Sequence, residues 1–172
     1  QSYVVEPVFM QGTGAMLPLL APHVRRVIAV EPSPTMLKAA RGRVRNLRLD
    51  NIDIRRGDAE TLPIESASVD VALLALVLAY TADPPVALKE VRRILKPGGI
   101  ALIIDLQAHS AETFRDKLHH RWMGFSREQL AVWLRDAGFT APRWHALAAG
   151  PARTRNDGGP VPDLFALRAE AE

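Results

Sequence analysis

The sequence predicts an α/β domain: a doubly wound, mostly parallel sheet with an antiparallel C-terminal hairpin. Three observations predict it. Apolar strand-like runs alternate with helix-period segments up to about residue 106, which is the pattern of successive βαβ units. A glycine turn, Gln11-Gly12-Thr13-Gly14-Ala15-Met16-Leu17, precedes the apolar run Val27-Ile28-Ala29-Val30, which ends in Glu31. That arrangement suits a βαβ unit holding a nucleoside, because glycine lets the backbone approach a ligand, a helix start offers N–H groups and an acid accepts from ribose hydroxyls. Finally, two late strand candidates are joined by the Gly/Pro/Asn-rich stretch Ala152–Pro162 without room for a helix, so they must pair antiparallel.

Taken in order, Tyr3 to Phe9 is β-rich but interrupted by Pro7, a broken strand signal. Met16 to Ala21 predicts a short helix, with Pro18 tolerable in its first turn. Arg26 to Val30 is a buried parallel strand. Ser33-Pro34 reads as N-cap and first helical residue of a helix to about Val44, with Met36, Leu37 and Ala40 inward. Leu49 to Arg56 alternates as a third strand, followed by the turn Gly57-Asp58-Ala59-Glu60. Val69 to Leu76 is the most apolar strand, and Asp70 at its start is read as structural. Pro84-Pro85 opens a helix over Val86 to Leu95, which Lys96-Pro97-Gly98-Gly99 stops before a fifth strand, Ile100 to Leu106. Glu112 to Trp122 and Glu128 to Ala137 read as helices, and Pro142 to Ala149 and Asp163 to Leu167 as the last strands.

Composition narrows the function classes. The chain has 172 residues, a net charge of +3 and no cysteine, so disulfides, thiolate metal sites and cysteine nucleophiles are excluded together. The arginines at 25–26, 41–48, 55–56 and 92–93 are scattered without interleaved aromatics; they read as solvated helix faces and strand ends rather than a nucleic-acid surface. No apolar run is long enough for a membrane span, and a cytoplasmic protein is the default expectation. The chain begins almost against its glycine turn, so a single domain over 1–172 lacking upstream residues is expected.

In open α/β sheets ligands lie beyond the carboxyl ends of the strands. Gly12 to Gly14, Glu31, Asp58 and the Leu74-Ala75 strand end therefore converge on one crevice. Leu17 stands where a dinucleotide fold has its third glycine, which disfavours a nicotinamide cofactor. The segments VIAVEPSPTMLKAAR (27–41), RRGDAETLPIESASVDVALL (55–74), DPPVALKEVRRILKPGGIALIID (83–105) and FSREQLAVWLRDAGF (125–139) resemble class I S-adenosylmethionine-dependent methyltransferases. Among these, they resemble the Rossmann-like small-molecule enzymes related to ubiquinone/menaquinone methyltransferases. The resemblance implies S-adenosylmethionine as cofactor and S-adenosylhomocysteine as product. It implies Glu31 on the ribose, Asp58 and the Ala59 backbone beside the adenine, and Pro32 and Met36 packed near the adenosine. Gly12, Thr13 and Gly14 would line the methionine moiety, with Ala75 completing the site.

A narrower resemblance lies in Asp105-Leu-Gln-Ala-His109, Glu112, Phe114-Arg115, His119-His120-Arg121 and Gly124-Phe125-Ser126. These look like methyltransferase domains fused behind an ArsR-type winged-helix DNA-binding domain, which implies DNA contact only through an upstream domain. Two positions depart from the family: Val8 and Met10 stand where its first motif has an acid and an earlier glycine. After the fourth strand, Ala75, Leu76 and Ala79 replace polar residues, leaving Tyr80.

Tyr80 and His109 are the candidate catalytic residues on the acceptor side. His109, Glu112, Asp116 and His120 are spaced 3, 4 and 4 apart and would share a helix face, but a metal site there is not expected. His23 and His145 read as surface residues, and Trp122, Trp133 and Trp144 as core and lid. Two functions follow: methyl transfer to a small-molecule acceptor, or a cofactor-binding sensor domain of a transcriptional regulator with little catalysis. A homodimer is compatible with either. Arsenic methylation is disfavoured because its chemistry relies on thiolates.

Overall fold

A computed structural model describes residues 14–110, 116, 120–147 and 162–172, together with the backbone of 7–10. The strands are β1 (Pro7–Met10), β2 (Val27–Glu31), β3 (Ile52–Arg56), β4 (Val69–Ala75), β5 (Leu95–Leu106), β6 (Phe139–Leu147) and β7 (Leu164–Ala171). They form one seven-stranded sheet in the order β3-β2-β1-β4-β5-β7-β6. The first five pair in parallel, and β7 pairs antiparallel with both β5 and β6. The described helices are α1 (Leu17–Leu20), α2 (Pro34–Asn46), α3 (Pro84–Ile94) and α4 (Arg127–Asp136). The expected doubly wound sheet with an antiparallel C-terminal hairpin is the observed architecture.

Local chemistry explains the boundaries. β1 begins at Pro7, a position where the missing N–H breaks no ladder bond within the strand. The three longer helices each open on a side-chain cap: Ser33 accepts from Met36 N–H, Asp83 from Val86 N–H and Ser126 from Gln129 N–H. Prolines occupy the first turns of α2 and α3, where no N–H is required.

Side chains alternate across the sheet and fill two cores. Ile28, Val30, Ala72, Leu74 and Ile103 face the larger one, with Leu88, Val91, Leu130, Leu134 and Phe165. Val27, Ala29, Leu73 and Ala75 face a smaller one with Leu17. Trp144 stacks on Phe165 at 4.0 Å, and Trp122 meets Trp133 edge-on at 5.8 Å, so the tryptophans serve packing as expected.

Several boundaries differ from expectation. The first helix shrinks to four residues and continues as a 3-10 turn, Ala21–His23. β3 starts only at Ile52, because the Asn51 amide is turned to the Ala21 and Val24 carbonyls at 2.9 and 3.0 Å. β5 starts earlier, because Leu95 already pairs with Val69 and an irregular register absorbs the Pro97-Gly98-Gly99 stretch. β7 runs to Ala171, four residues beyond the expected end: Arg-Ala-Glu-Ala has little strand propensity, but Ala169 and Glu170 pair with Ala101 and Ile100 and the pairing decides. β6 starts at Phe139, passing Pro142 through an irregular register with Ala141 at φ +47°. Most of the expected 112–122 helix lies outside the described residues, as does the 152–161 part of the hairpin connection. Trp122 itself lies in a bend.

The loop between β3 and β4 has no regular structure over most of its length, yet it is tightly held. Arg93 on α3 donates to the Ile64 carbonyl at 2.9 Å, the Leu62 carbonyl at 3.1 Å and the Ser66 hydroxyl at 3.1 Å. It also pairs with Glu90 at 2.8 and 2.9 Å, and Glu90 accepts from Leu62 N–H at 2.8 Å. Arg93→Ala should lower unfolding free energy by about 1–3 kcal/mol at neutral pH, because two loop carbonyls lose their partner. Urea denaturation checks this; a change within measurement error would show that the loop is held by its apolar residues alone.

Candidate cofactor and acceptor site

The parallel register sets the site. Glu31 pairs with Arg56, Met10 with Val30 and Leu74, and Ala75 with Ile104. The ends of β2, β1, β4 and β5 and the start of the 57–61 turn therefore lie along one edge. β1 lies between β2 and β4, so the chain reverses its direction of winding there, which is where open α/β sheets bind ligands. Among the described residues, four polar or charged side chains are buried: Glu31, Thr81, Asp105 and His120. All four belong to this edge, which is unusual enough to define a site, since buried polar groups are retained only with partners or a purpose.

On the nucleoside side, Glu31 is 7% exposed and ends a strand whose five residues are all buried. One carboxylate oxygen accepts from Ser33 N–H at 2.8 Å, which fixes the rotamer. Gly57 follows the neighbouring strand; a Cβ there would come within 2.6 Å of Pro63 Cδ and 3.1 Å of Val30 Cγ1. Glycine is therefore what allows the turn to lie against Glu31's strand. Asp58 is exposed, bridges to Thr61 and leads into the buried Ala59. Pro32 and Met36 are exposed, Met36 to 41%, and lie at the start of the helix that leaves Glu31's strand end. Gly14 has φ +72°, and an added Cβ would sit 2.8 Å from Leu17 Cδ1 and 3.2 Å from Ala40 Cβ, so it is both a turn residue and a packing contact with α2. Gly12 and Thr13 lie outside the described residues. Ala75 is at the edge, but its methyl is in the smaller core, so only its backbone faces the crevice. The four-residue α1 does not provide the helix terminus that the sequence suggested.

On the other side stands a group the sequence reading did not single out as catalytic. Asp105, near the end of β5, is fully buried. Its carboxylate accepts from Leu106 N–H at 2.8 Å, from Leu78 N–H at 3.0 Å and from Ala79 N–H. Burial outweighs these bonds and pushes its pKa up to about 6. Tyr80 closes the 3-10 turn Leu78–Tyr80, is 47% exposed, and meets the His120 ring edge-on at 4.5 Å. Burial and the Asp105 charge raise the Tyr80 phenol. Burial lowers His109; burial and then the His109 charge lower His120, so both imidazoles are neutral at neutral pH. Thus Tyr80 packs on His120, the His109 charge reaches His120, and Asp105 is buried behind the turn that carries Tyr80.

The sequence signal for Asp105 was weak, since an acid ending an apolar strand resembles a solvated strand end. The arginines were also under-read. Arg26 and Arg55 converge on Asp53 at 2.8 Å each and hold its carboxyl below the usual range, and Arg93 holds the loop described above. Asp70 pairs with Lys96 at 3.0 Å at the opposite end of β4, the structural role expected. Among the described residues no cluster of candidate metal ligands occurs, and no helix is long and apolar enough to cross a membrane. A groove of about 490 Å³, lined by Arg41, Arg45, Arg48 and apolar residues of α2 and β3, lies on the outer side of β3 and not at this edge.

The Asp105 environment has a thermodynamic consequence. Between about pH 4 and 6 the folded chain keeps a proton that the unfolded chain has lost, so this group's contribution to stability falls as pH rises through that window. The gap between 3.8 and about 6 corresponds to about 3 kcal/mol. Wild-type unfolding free energy minus that of Asp105→Asn should therefore fall by about 2 kcal/mol between pH 4 and pH 7, the rest of the loss lying below pH 4. Denaturant titrations across that range check it, and a flat difference would refute it.

Comparison with known proteins agrees with this geometry. A family model described as a methyltransferase domain matches residues 11–103. The chain is 36% identical over 148 residues to a 37.1 kDa protein of transposon Tn4556 from Streptomyces fradiae, covering 76% of this chain and 42% of that one. It is 28% identical over 166 residues to the ubiquinone/menaquinone biosynthesis C-methyltransferase of Rubrivivax gelatinosus, covering 82% of this chain and 64% of that one. It therefore spans about half the length of these curated relatives. The crystal structure of an S-adenosylmethionine-dependent methyltransferase from Thermotoga maritima, titled a possible histamine N-methyltransferase, superposes with a TM-score of 0.74 at 27% identity, covering 98% of this chain and 82% of that one. The chain belongs to the methyltransferase domain family, within the class I S-adenosylmethionine-dependent methyltransferases.

Proposed function

We propose that the chain binds S-adenosylmethionine along the carboxyl edge of β1 to β3 and transfers its methyl group to a small-molecule acceptor at the ends of β4 and β5. The observation that carries this reading is the buried Glu31 carboxylate, oriented by Ser33 N–H at the end of β2. A carboxylate so placed suits a ribose diol, and the glycines at 14 and 57 leave backbone where side chains would intrude. The described residues thus fit the nucleoside part of the cofactor. Asp58 and the Ala59 backbone would flank the adenine, Pro32 and Met36 would cover the adenosine, and Gly12, Thr13, Gly14 and the Ala75 backbone would face the methionine part.

When bound, the cofactor supplies an electrophilic methyl on a sulfonium. The chain's contribution is position and desolvation, which can supply about 7–11 kcal/mol of barrier lowering. Tyr80 would orient the acceptor, and His109, neutral at neutral pH, would hold or take its proton. The name of the quinone-pathway relative supports a phenolic or apolar acceptor.

A second reading has its own support. Ala75, Leu76 and Ala79 offer no polar side chains after β4, and the 105–126 segments resemble ArsR-type fusions. On this reading the chain is a cofactor-sensing domain joined to a DNA-binding one, with little catalysis.

Glu31→Ala should weaken S-adenosylhomocysteine binding roughly 10–100-fold, the loss expected for charge-assisted hydrogen bonds to a diol. Isothermal calorimetry checks this, and unchanged affinity would place the cofactor elsewhere. Incubation with labelled S-adenosylmethionine and a panel of quinols, phenols and amines separates the two readings: methylation of any member supports the enzyme, and tight binding without turnover supports the sensor.

A further inference from the structure

The proposed transfer uses Tyr80 and His109 and leaves Asp105 without a role. Its connections give it one. The Asp105 carboxylate takes the N–H groups of Leu78 and Ala79, which begin the turn carrying Tyr80. Ala79 then works in the other direction: its carbonyl accepts from Arg121 N–H at 2.8 Å and Trp122 N–H at 3.2 Å. Trp122 Nε1 adds a bond to the Thr81 carbonyl at 3.0 Å. His120 immediately precedes this anchored pair, and its ring rests on Tyr80 at 4.5 Å. On the far side, His109 N–H donates to the Met123 carbonyl at 2.9 Å and Phe125 N–H to the Leu106 carbonyl at 2.9 Å. The chain enters the turn through Leu76 at φ +56°, with its N–H on the Ile104 carbonyl at 2.7 Å. A left-handed leucine persists only where its surroundings over-determine it, and here the backbone on both sides of Leu76 is tied to β5.

We propose that Asp105 is the positioning residue of the acceptor side, fixing through the Leu78 and Ala79 amides the turn that presents Tyr80 and, through the Ala79 carbonyl, the segment that presents His120. His120 thereby joins Tyr80 and His109 in the wall facing the acceptor. A buried acid satisfied by N–H groups could serve folding alone. Loss of a purely structural acid would lower stability and leave His120 placed against Tyr80 as before. This inference rests on the acceptor lying at the ends of β4 and β5.

The test uses Asp105→Asn in the full chain, with S-adenosylhomocysteine as the ligand probe. Tyr3 and Tyr80 are the two tyrosines, so phenolate absorbance compared with Tyr80→Phe isolates the Tyr80 step. In Asp105→Asn, Tyr80 should ionise at a lower pH than in the wild type, because burial still raises the phenol but the neighbouring negative charge is gone. The His120 imidazole cross-peak in proton–carbon NMR, identified with His120→Gln, should move. S-adenosylhomocysteine affinity should stay within about twofold, since Glu31 and the glycine turns are separate from this network. A folded variant with an unshifted Tyr80 step and an unmoved His120 signal overturns the proposal, as does a tenfold loss of ligand affinity with Tyr80 unchanged. If Asp105→Asn does not fold, the carboxyl carbon of Asp105 and the ring signals of Tyr80 are followed together from pH 4 to 8. This is done in a His109→Gln/His120→Gln background, which removes the imidazole packed on Tyr80 and the one whose charge acts on that imidazole. A shared midpoint supports the proposal, and unrelated midpoints overturn it. Failure of the wild-type chain to bind S-adenosylhomocysteine would instead sink the cofactor reading and leave the Tyr80 result standing.

Discussion

The constraint on which this molecule depends is the parallel register of its first five strands. Once β1 pairs with β2 on one flank and β4 on the other, the chain can leave their carboxyl ends only along one edge. The loops that leave it diverge to both sides of the switch point, so backbone there is exposed to a ligand by topology and not by accident. Everything polar that the described interior tolerates is spent on that edge. Glu31 stands at one end of it, and Asp105, Thr81 and His120 at the other. The two carboxylates differ in kind. Glu31 binds one amide, at the strand end where the nucleoside is proposed to sit, whereas Asp105 is filled by the N–H groups of 78, 79 and 106. The first suits a ligand and the second organises the protein.

An edge rich in loops is stable only if those loops have partners for their amides and carbonyls. Side chains from the regular elements supply them. The Arg93–Glu90 pair holds the turn after β3, Asn51 holds the chain before β2, and Glu60 accepts the Asp83 amide at 2.8 Å, tying that same turn to the start of α3. A cation with three or more donors can do this where an apolar residue cannot. For this reason Arg55, Arg92 and Arg93, which a composition reading assigns to solvent, are half-buried and bound to backbone carbonyls, and the net positive charge says less about partners than it first suggests.

Much of this was legible in the sequence because it follows local rules. A buried parallel strand ending in Glu31, the Ser33-Pro34 start and the Gly-Asp turn at 57–58 are contiguous patterns, and each appears where the pattern places it. Asp105 was legible as a family match and illegible as a clamp, because its partners are 26 and 27 residues earlier and are backbone amides, which carry no residue code. His120 was legible only as one of four residues on a common helix face, because its packing on Tyr80 joins segments 40 residues apart. The extent of β7 was hidden for a related reason: Ala169 and Ala171 are strand residues only because β5 and β6 flank them. What the sequence withheld were interactions between segments distant in the chain.

The apolar stretch after β4 takes on a different meaning in this light. Ala75, Leu76 and Ala79 bring no polar side chain to this turn. Yet the Leu78 and Ala79 amides are bound to Asp105, the Leu76 amide to Ile104, and the Ala79 carbonyl to two amides of 121–122. The backbone polarity of this turn is turned inward to build a rigid frame, and small side chains are what let the frame lie against β5. The groups at the face of this frame are an exposed phenol whose ionisation is suppressed, a half-buried His109 imidazole and, behind the phenol, the buried His120 ring. On the proposed reading such a wall would orient a hydroxyl or amine and accept its proton while adding no fixed charge of its own to the surface, which would favour an acceptor that is neutral before reaction. A permanently anionic molecule would instead approach the field of Asp105 behind the wall, in a site where burial weakens screening.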